Sequence, residues 1–185
     1  PLEMRKKQPA PARQERQPDF PEGKSRRIQV PTKINKGMVD VAYPTDDYWD
    51  IHQNRRLSVL SDVMADRMRI RIREKMGAAY SYHAYNHPSR AYPGYGVFHA
   101  IVEIAPEDAD RVAAAVADIA ADLAETGVSR DERDRAVKPV LTSIRERVKT
   151  NAYWLKSVLK GSFRHPQQLE WSRSFLSDYE RITAE

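Results

Sequence analysis

Ile70-Arg-Ile-Arg-Glu-Lys-Met-Gly-Ala-Ala-Tyr-Ser-Tyr82 joins a predicted helix to a predicted strand, because its apolar pattern changes at Gly77. Before this glycine the apolar residues recur every three or four positions, which predicts an amphipathic helix. After it they alternate, which predicts a strand. Glycine readily adopts the left-handed conformation that ends a helix. The chain is therefore expected to reverse at Gly77 and to bring Arg73 and Tyr80 into the same space.

The helix before Gly77 is expected to be long. Thr45-Asp-Asp47 offers capping side chains and early negative charge, and basic residues in the last turn suit the negative end of the helix dipole. Apolar side chains follow on one stripe at spacings of three or four. These are Leu57, Leu60, Met64, Met68 and Ile72. The pattern predicts one helix over residues 48–75.

Alternation of apolar residues predicts strands over residues 28–30, 37–43, 78–85 and 97–105. The third strand is expected to place Tyr80 and Tyr82 on one face. The last strand has the clearest alternation, and it is expected to pair antiparallel with the third across the loop between them.

Four further helices are expected, beginning at Pro106, Ser129, Asn151 and Pro166. Ser129-Arg-Asp-Glu132 has the form of a capping box. Early strands, a hairpin and then several helices indicate an α+β fold, an antiparallel sheet with helices packed on one face.

Composition limits the function classes. The chain has no cysteine, so disulfides and thiolate chemistry are excluded. It has no apolar run long enough for a transmembrane helix. Residues 1–27 carry net charge +4 of the total +5, with eight basic and four acidic side chains, so the remainder is nearly neutral. Residues 1–23 are rich in Pro, Gln and Arg and are expected to form a linker.

Arg73-Glu-Lys-Met-Gly-Ala-Ala-Tyr80 resembles the Arg-x6-Tyr signature of pitrilysin and insulysin-type zinc peptidases, the inverted zincins. The aromatic segment Asn151-Ala-Tyr-Trp-Leu155 and the closing Arg181-Ile-Thr-Ala-Glu185 extend this resemblance. It implies that residues 24–185 are the C-terminal, non-metal-binding domain of a bacterial member. In the family the closing phrase leads into another helix, so the domain is expected to be truncated at its C-terminus.

The resemblance implies that Arg73 and Tyr80 contact the substrate at a zinc site built by the other half of the enzyme. A guanidinium group and a phenol hydroxyl are donors suited to the negative charge that a carbonyl oxygen gains during hydrolysis. Arg71 and Tyr82 are alternatives for these two roles. An opposing interpretation is that Arg73 pairs with an acid and Tyr80 is an aromatic residue of the core.

Zinc binding in this family requires His-x-x-Glu-His on a helix. The chain lacks this motif; its histidines are His52, His83, His87, His99 and His165. His83 and His87 are four residues apart on a predicted strand that runs into the His87-Pro88 loop, where they are not expected to converge on a metal. The chain alone is therefore expected to hold no metal and to hydrolyse no peptide, with zinc supplied by the full-length parent or a partner.

The expected partners are a peptide or unfolded polypeptide substrate and a zinc-bearing N-terminal domain or partner subunit, without specific nucleic acid. One alternative is a catalytically silent processing or assembly subunit of the same family. Another is a nucleic-acid or membrane-surface module that uses the basic N-terminal tail. Both the bacterial periplasm and the cytoplasm are compatible with the sequence, and substrate, cleavage preference and oligomeric state are not indicated.

Overall fold

The computed structural model describes residues 18–184 of the chain, and within them it has one antiparallel sheet and five helices. The strands are β1 (Gly37–Thr45), β2 (Ala79–Pro88) and β3 (Gly96–Ile104). The helices are α1 (Ile51–Met68, continued by a π-helical segment, Arg69–Lys75), α2 (Ala109–Thr126), α3 (Arg130–Arg147), α4 (Asn151–Tyr153, continued by a π-helical segment, Trp154–Leu159) and α5 (Gln167–Arg181). The α+β prediction is confirmed.

Strand β3 is the centre of the sheet, which has the order β1-β3-β2. Both neighbours pair with it antiparallel, as predicted for the hairpin of β2 and β3. Its alternate residues Phe98, Ala100, Val102 and Ile104 are buried beneath α1 and α2. The helices therefore cover one face of the sheet, while the opposite face carries the half-buried or exposed residues of each strand.

The predicted strand over residues 28–30 is wrong. Ile28 and Val30 are 69% and 70% exposed, and the segment has no strand structure. Arg27 pairs with Asp110 at the start of α2, and a cleft of about 530 Å³ separates residues 24–29 from the edge of β1. The segment therefore makes no backbone hydrogen bonds to β1.

Helix α1 lies between two hydrophobic clusters. On one side Met64, Met68 and Ile72 pack on the sheet and α2. On the other side Val59 and Val63 pack against α3 and α5. Burial on both sides makes α1 the central helix of the domain.

The start and the end of α1 both differ from the prediction. The helix begins at Ile51, because Asp50 accepts the cap hydrogen bond from the Gln53 backbone N–H at 2.9 Å. Its end widens into the π-helical segment. The buried residues Met64, Met68 and Ile72 are spaced by four. This spacing is longer than one α-helical turn of about 3.6 residues but shorter than one turn of the wider π-helix, so a π segment offsets the rotation that accumulates along the α-helix. The π segment thus returns Ile72 to the core.

The capping box at the start of α3 is confirmed. Ser129 and Glu132 exchange the reciprocal side-chain and backbone hydrogen bonds. Arg67 of α1 also donates to both carboxylate oxygens of Glu132, at 2.7 and 3.1 Å, and to the Gly127 carbonyl oxygen. These hydrogen bonds lower the pKa of Glu132 to about 2, and the bond from Arg67 has the largest effect.

Replacing Glu132 by glutamine is expected to lower the free energy of unfolding by about 2 kcal/mol at neutral pH. The folded-state pKa lies below the ordinary value of 4.5, so the stability contributed by Glu132 is complete above that pH and is lost as the pH falls toward 2. Urea unfolding at several pH values should show the difference between wild type and variant shrinking on acidification. Glu146→Gln, at an exposed pair with Lys149, is the control and should change little. A difference independent of pH would contradict the prediction.

Candidate functional site

The predicted reversal after the long helix is present in the structure. Gly77 has a φ of 66°, and its N–H donates to the Arg73 carbonyl oxygen at 3.2 Å. The Ala78 N–H donates to the Ile72 carbonyl oxygen at 3.2 Å. Only glycine adopts this φ at little cost, so the turn from the π segment into β2 depends on it.

Arg73 lies on the solvent-facing side of the π segment and is exposed. Within residues 18–184 its side chain has no ion pair or hydrogen bond, in contrast to its two neighbours of the same charge. Arg69 pairs with Asp66 and Glu74, and Arg71 donates to Asp118 of α2 at 2.7 Å. Of the two candidate guanidinium groups, Arg73 is therefore the one that has no acidic partner in the described part of the chain.

Tyr80 and Tyr82 occupy different environments. A β-bulge lies between Ala79 and Ser81, so Tyr80 has no partner in β3 and is 56% exposed. Tyr82 pairs with Val102 and packs against the core beneath the helices. The prediction that both tyrosines share a face is wrong, because the bulge inserts an extra residue and breaks the alternation.

Three basic side chains lie near Tyr80 or at the end of the π segment. Lys36, just before β1, places its Nζ 6.0 Å from the centroid of the Tyr80 ring. Arg73 and Lys75 are exposed at the end of the π segment, on the other side of the Gly77 turn. A phenol hydroxyl and permanently charged donors each suit an oxygen that carries or develops negative charge. Lys36 was not predicted as a site residue, because its place beside Tyr80 depends on the sheet order.

A second polar group lies on the face of the sheet that the helices leave open. His99 Nδ1 is 3.0 Å from an Asp40 carboxylate oxygen, and the Tyr85 ring stacks on the imidazole with centroids 5.0 Å apart. His83 and His87 are exposed on the same strand as Tyr85. In the described residues, no three histidine or acidic side chains come close enough to hold a metal ion, so they do not fit a zinc site.

Comparison with known proteins identifies the family. The family model described as the peptidase M16 inactive domain matches residues 3–140, which is more than half of the chain. The chain belongs to the peptidase M16 inactive-domain family. The resemblance to pitrilysin-type peptidases noted in the sequence is thereby confirmed.

Solved structures of other proteins have the same fold. The periplasmic protease PqqL from Escherichia coli matches with a TM-score of 0.69 at 14% identity, over 83% of this chain and 17% of PqqL. A peptidase M16 inactive domain from Pseudomonas fluorescens matches with a TM-score of 0.68 at 18% identity, over 80% of this chain and 35% of that one. This M16 domain thus spans a minor part of both proteins. No curated protein matches the sequence.

A third match is closer to this M16 domain in length. It is the inactive peptidase domain of a Bordetella parapertussis protein assigned as a zinc protease, with a TM-score of 0.64 at 12% identity over 85% of each chain. These identities support the fold alone. Among residues 18–184, no helix is long and apolar enough to cross a membrane.

Proposed function

We propose that this M16 domain is a substrate-contacting, chamber-closing part of a longer bacterial zinc peptidase. The proposal depends mainly on one observation: the Gly77 turn joins an exposed Arg73 without an acidic partner in residues 18–184 to a strand that presents the exposed Tyr80. Arg69 and Arg71 each pair with an acidic side chain, whereas Arg73 has no such partner within residues 18–184 and could donate to a ligand.

The proposed role of the two side chains is to donate hydrogen bonds to the peptide carbonyl oxygen next to the cleaved bond. That oxygen becomes negative as water adds to the carbonyl carbon. The Arg73 guanidinium keeps its charge at any physiological pH, and the Tyr80 hydroxyl supplies a neutral donor. Donors held in place before the reaction lower its barrier, because they need not reorganise as the charge develops.

The zinc ion belongs, in this proposal, to a different domain or subunit. Within residues 18–184 no three histidine or acidic side chains lie close enough together to hold the ion. The Bordetella parapertussis relative is the inactive domain of a protein assigned as a zinc protease. The proposed partners are therefore a zinc-bearing N-terminal domain or subunit and an extended polypeptide substrate. The contribution of this chain is confined to binding and orienting that substrate.

The isolated chain is expected to show no zinc-dependent peptidase activity on a fluorogenic unfolded polypeptide. A zinc-bearing half of the parent, expressed without this domain, should gain activity when the chain is added in trans. Turnover by the pure chain that a chelator abolishes would contradict the proposal. A parent without any zinc-bearing half would instead favour a catalytically silent assembly subunit.

A further inference from the structure

The segment around α4 carries an unusual combination of apolar and basic side chains. Between Glu146 and Glu170 the sequence has no acidic residue and five basic ones. The same segment exposes several large apolar side chains: Trp154 is 44% exposed, Leu155 62%, Leu159 53% and Phe163 97%. Exposed apolar residues grouped in this way mark an interaction surface more often than isolated ones do.

The π-helical turn of α4 has a buried side and an exposed one. Val158 is buried and Tyr153 stacks on Phe175, so one side of the turn is fixed to the domain. Leu155 and Leu159, four residues apart, share the outward side. Lys156 and Lys160 follow them by one position and are also exposed. The outer surface at α4 therefore has both apolar and basic side chains.

Phe163 projects from a turn that is itself well anchored. Backbone hydrogen bonds from Ser162 to Leu159 (3.1 Å) and from Arg164 to Gly161 (2.9 Å) close the turn. At its base, the His165 ring lies 4.2 Å from that of Trp49. An almost fully exposed phenylalanine held at the tip of an ordered turn has no role in the core of this domain.

The cations of this surface are available to a ligand. Lys149 pairs with Glu146, but Lys156, Lys160 and Arg164 make no ion pair with any residue of the part that the structure describes. The surface formed by these three cations with Leu155, Leu159 and Phe163 is called here the α4 surface. The positive charge of this surface favours an anionic ligand.

We propose that the α4 surface docks peripherally onto an anionic phospholipid membrane. Leu155, Leu159 and Phe163 are each more than half exposed, so they stand out from the surface of the domain. Two of these three apolar side chains are leucines, which lack the aromatic face on which nucleic-acid bases stack. Exposed apolar side chains close in sequence to lysine and arginine suit the headgroup region of a membrane, where the apolar groups enter and the cations meet phosphate. This inference is independent of the peptidase function.

Vesicle binding by the 185-residue chain tests this docking. Sedimentation is expected with vesicles of phosphatidylcholine and phosphatidylglycerol, and not with phosphatidylcholine alone. Lys156→Gln/Lys160→Gln should weaken binding about fivefold per lysine, and Phe163→Ser at least about tenfold. The controls are Lys33→Gln/Lys138→Gln and Ile34→Ser, which change exposed lysines and an exposed apolar residue elsewhere and should bind like wild type.

Site-specific labelling locates the contact. The chain has no cysteine, so Leu159→Cys accepts a single environment-sensitive fluorophore, and Ser143→Cys on α3 is the control. Anionic vesicles should shift the emission of the label at 159 to the blue and leave that at 143 unchanged. Absence of binding, binding that the α4 substitutions leave intact, or tight binding to polyglutamate or single-stranded RNA in place of vesicles would overturn the proposal.

Discussion

Replacing Arg73 by alanine in the full-length peptidase is expected to lower kcat by about 100-fold, the usual effect of removing one donor to a developing oxyanion. KM should change much less, because the proposed hydrogen bond strengthens as the carbonyl oxygen gains charge. Tyr80→Phe should have an effect of the same order, since it removes only the hydroxyl. Steady-state kinetics on an unfolded polypeptide substrate measure both parameters.

Controls for this prediction are present in the same two elements. Arg71→Ala removes an arginine that already pairs with Asp118, and Tyr85→Phe removes a hydroxyl from a 42% exposed tyrosine of the same strand. Both controls should retain nearly wild-type kcat. Because Arg73 and Tyr80 are exposed, their replacement should change the free energy of unfolding by less than about 0.5 kcal/mol.

The outcome also identifies the residue if the assignment is wrong. A wild-type kcat in Arg73→Ala together with a large loss in Arg71→Ala would assign the contact to Arg71. Wild-type kinetics in every variant would show that this turn does not contact the substrate. If both residues bind one oxygen, the double variant should lose less than the product of the two single effects, because groups that act together are not additive.

Asp178→Ala is expected to have the largest effect on stability, a loss of about 3–5 kcal/mol in the free energy of unfolding. Asp178 of α5 is 10% exposed and pairs with Arg55 of α1, which is 6% exposed. Arg55 also donates to Ser174 Oγ at 2.9 Å and to the Trp171 carbonyl oxygen at 2.7 Å. Removing the carboxylate would leave a buried guanidinium without a counter-charge.

A double variant separates the cost of the unpaired charge from the loss of packing. Arg55→Met/Asp178→Leu fills similar space with apolar atoms and should be more stable than Asp178→Ala alone. Glu170→Ala breaks an exposed pair with Arg173 on the same helix and should change stability by less than about 1 kcal/mol. Chemical denaturation measures all three. A loss below about 1 kcal/mol for Asp178→Ala would show that the pair stabilises little.

Much of the fold could be predicted because its signals are local. The alternation in β3, the capping box at Ser129 and the glycine after the long helix each depend on residues within a few positions of one another. The start of α1 was less predictable, since the chain offers several acidic caps before it and the structure uses Asp50. The short apolar run at 28–30 resembles a strand, but a strand needs a hydrogen-bonded neighbour, which a local pattern does not supply.

At the candidate site, local sequence was enough to predict the reversal at Gly77, the charge of Arg73 and the strand that follows with Tyr80. It also determined that no His-x-x-Glu-His motif is present. Tertiary structure decided which arginine has an acidic partner, because Asp118 reaches Arg71 only when α2 packs beside α1. The β-bulge at Tyr80 and the position of Lys36 over the Tyr80 ring also depend on the tertiary structure. Both follow from the pairing of β1 and β2 with β3, which are distant from one another in sequence.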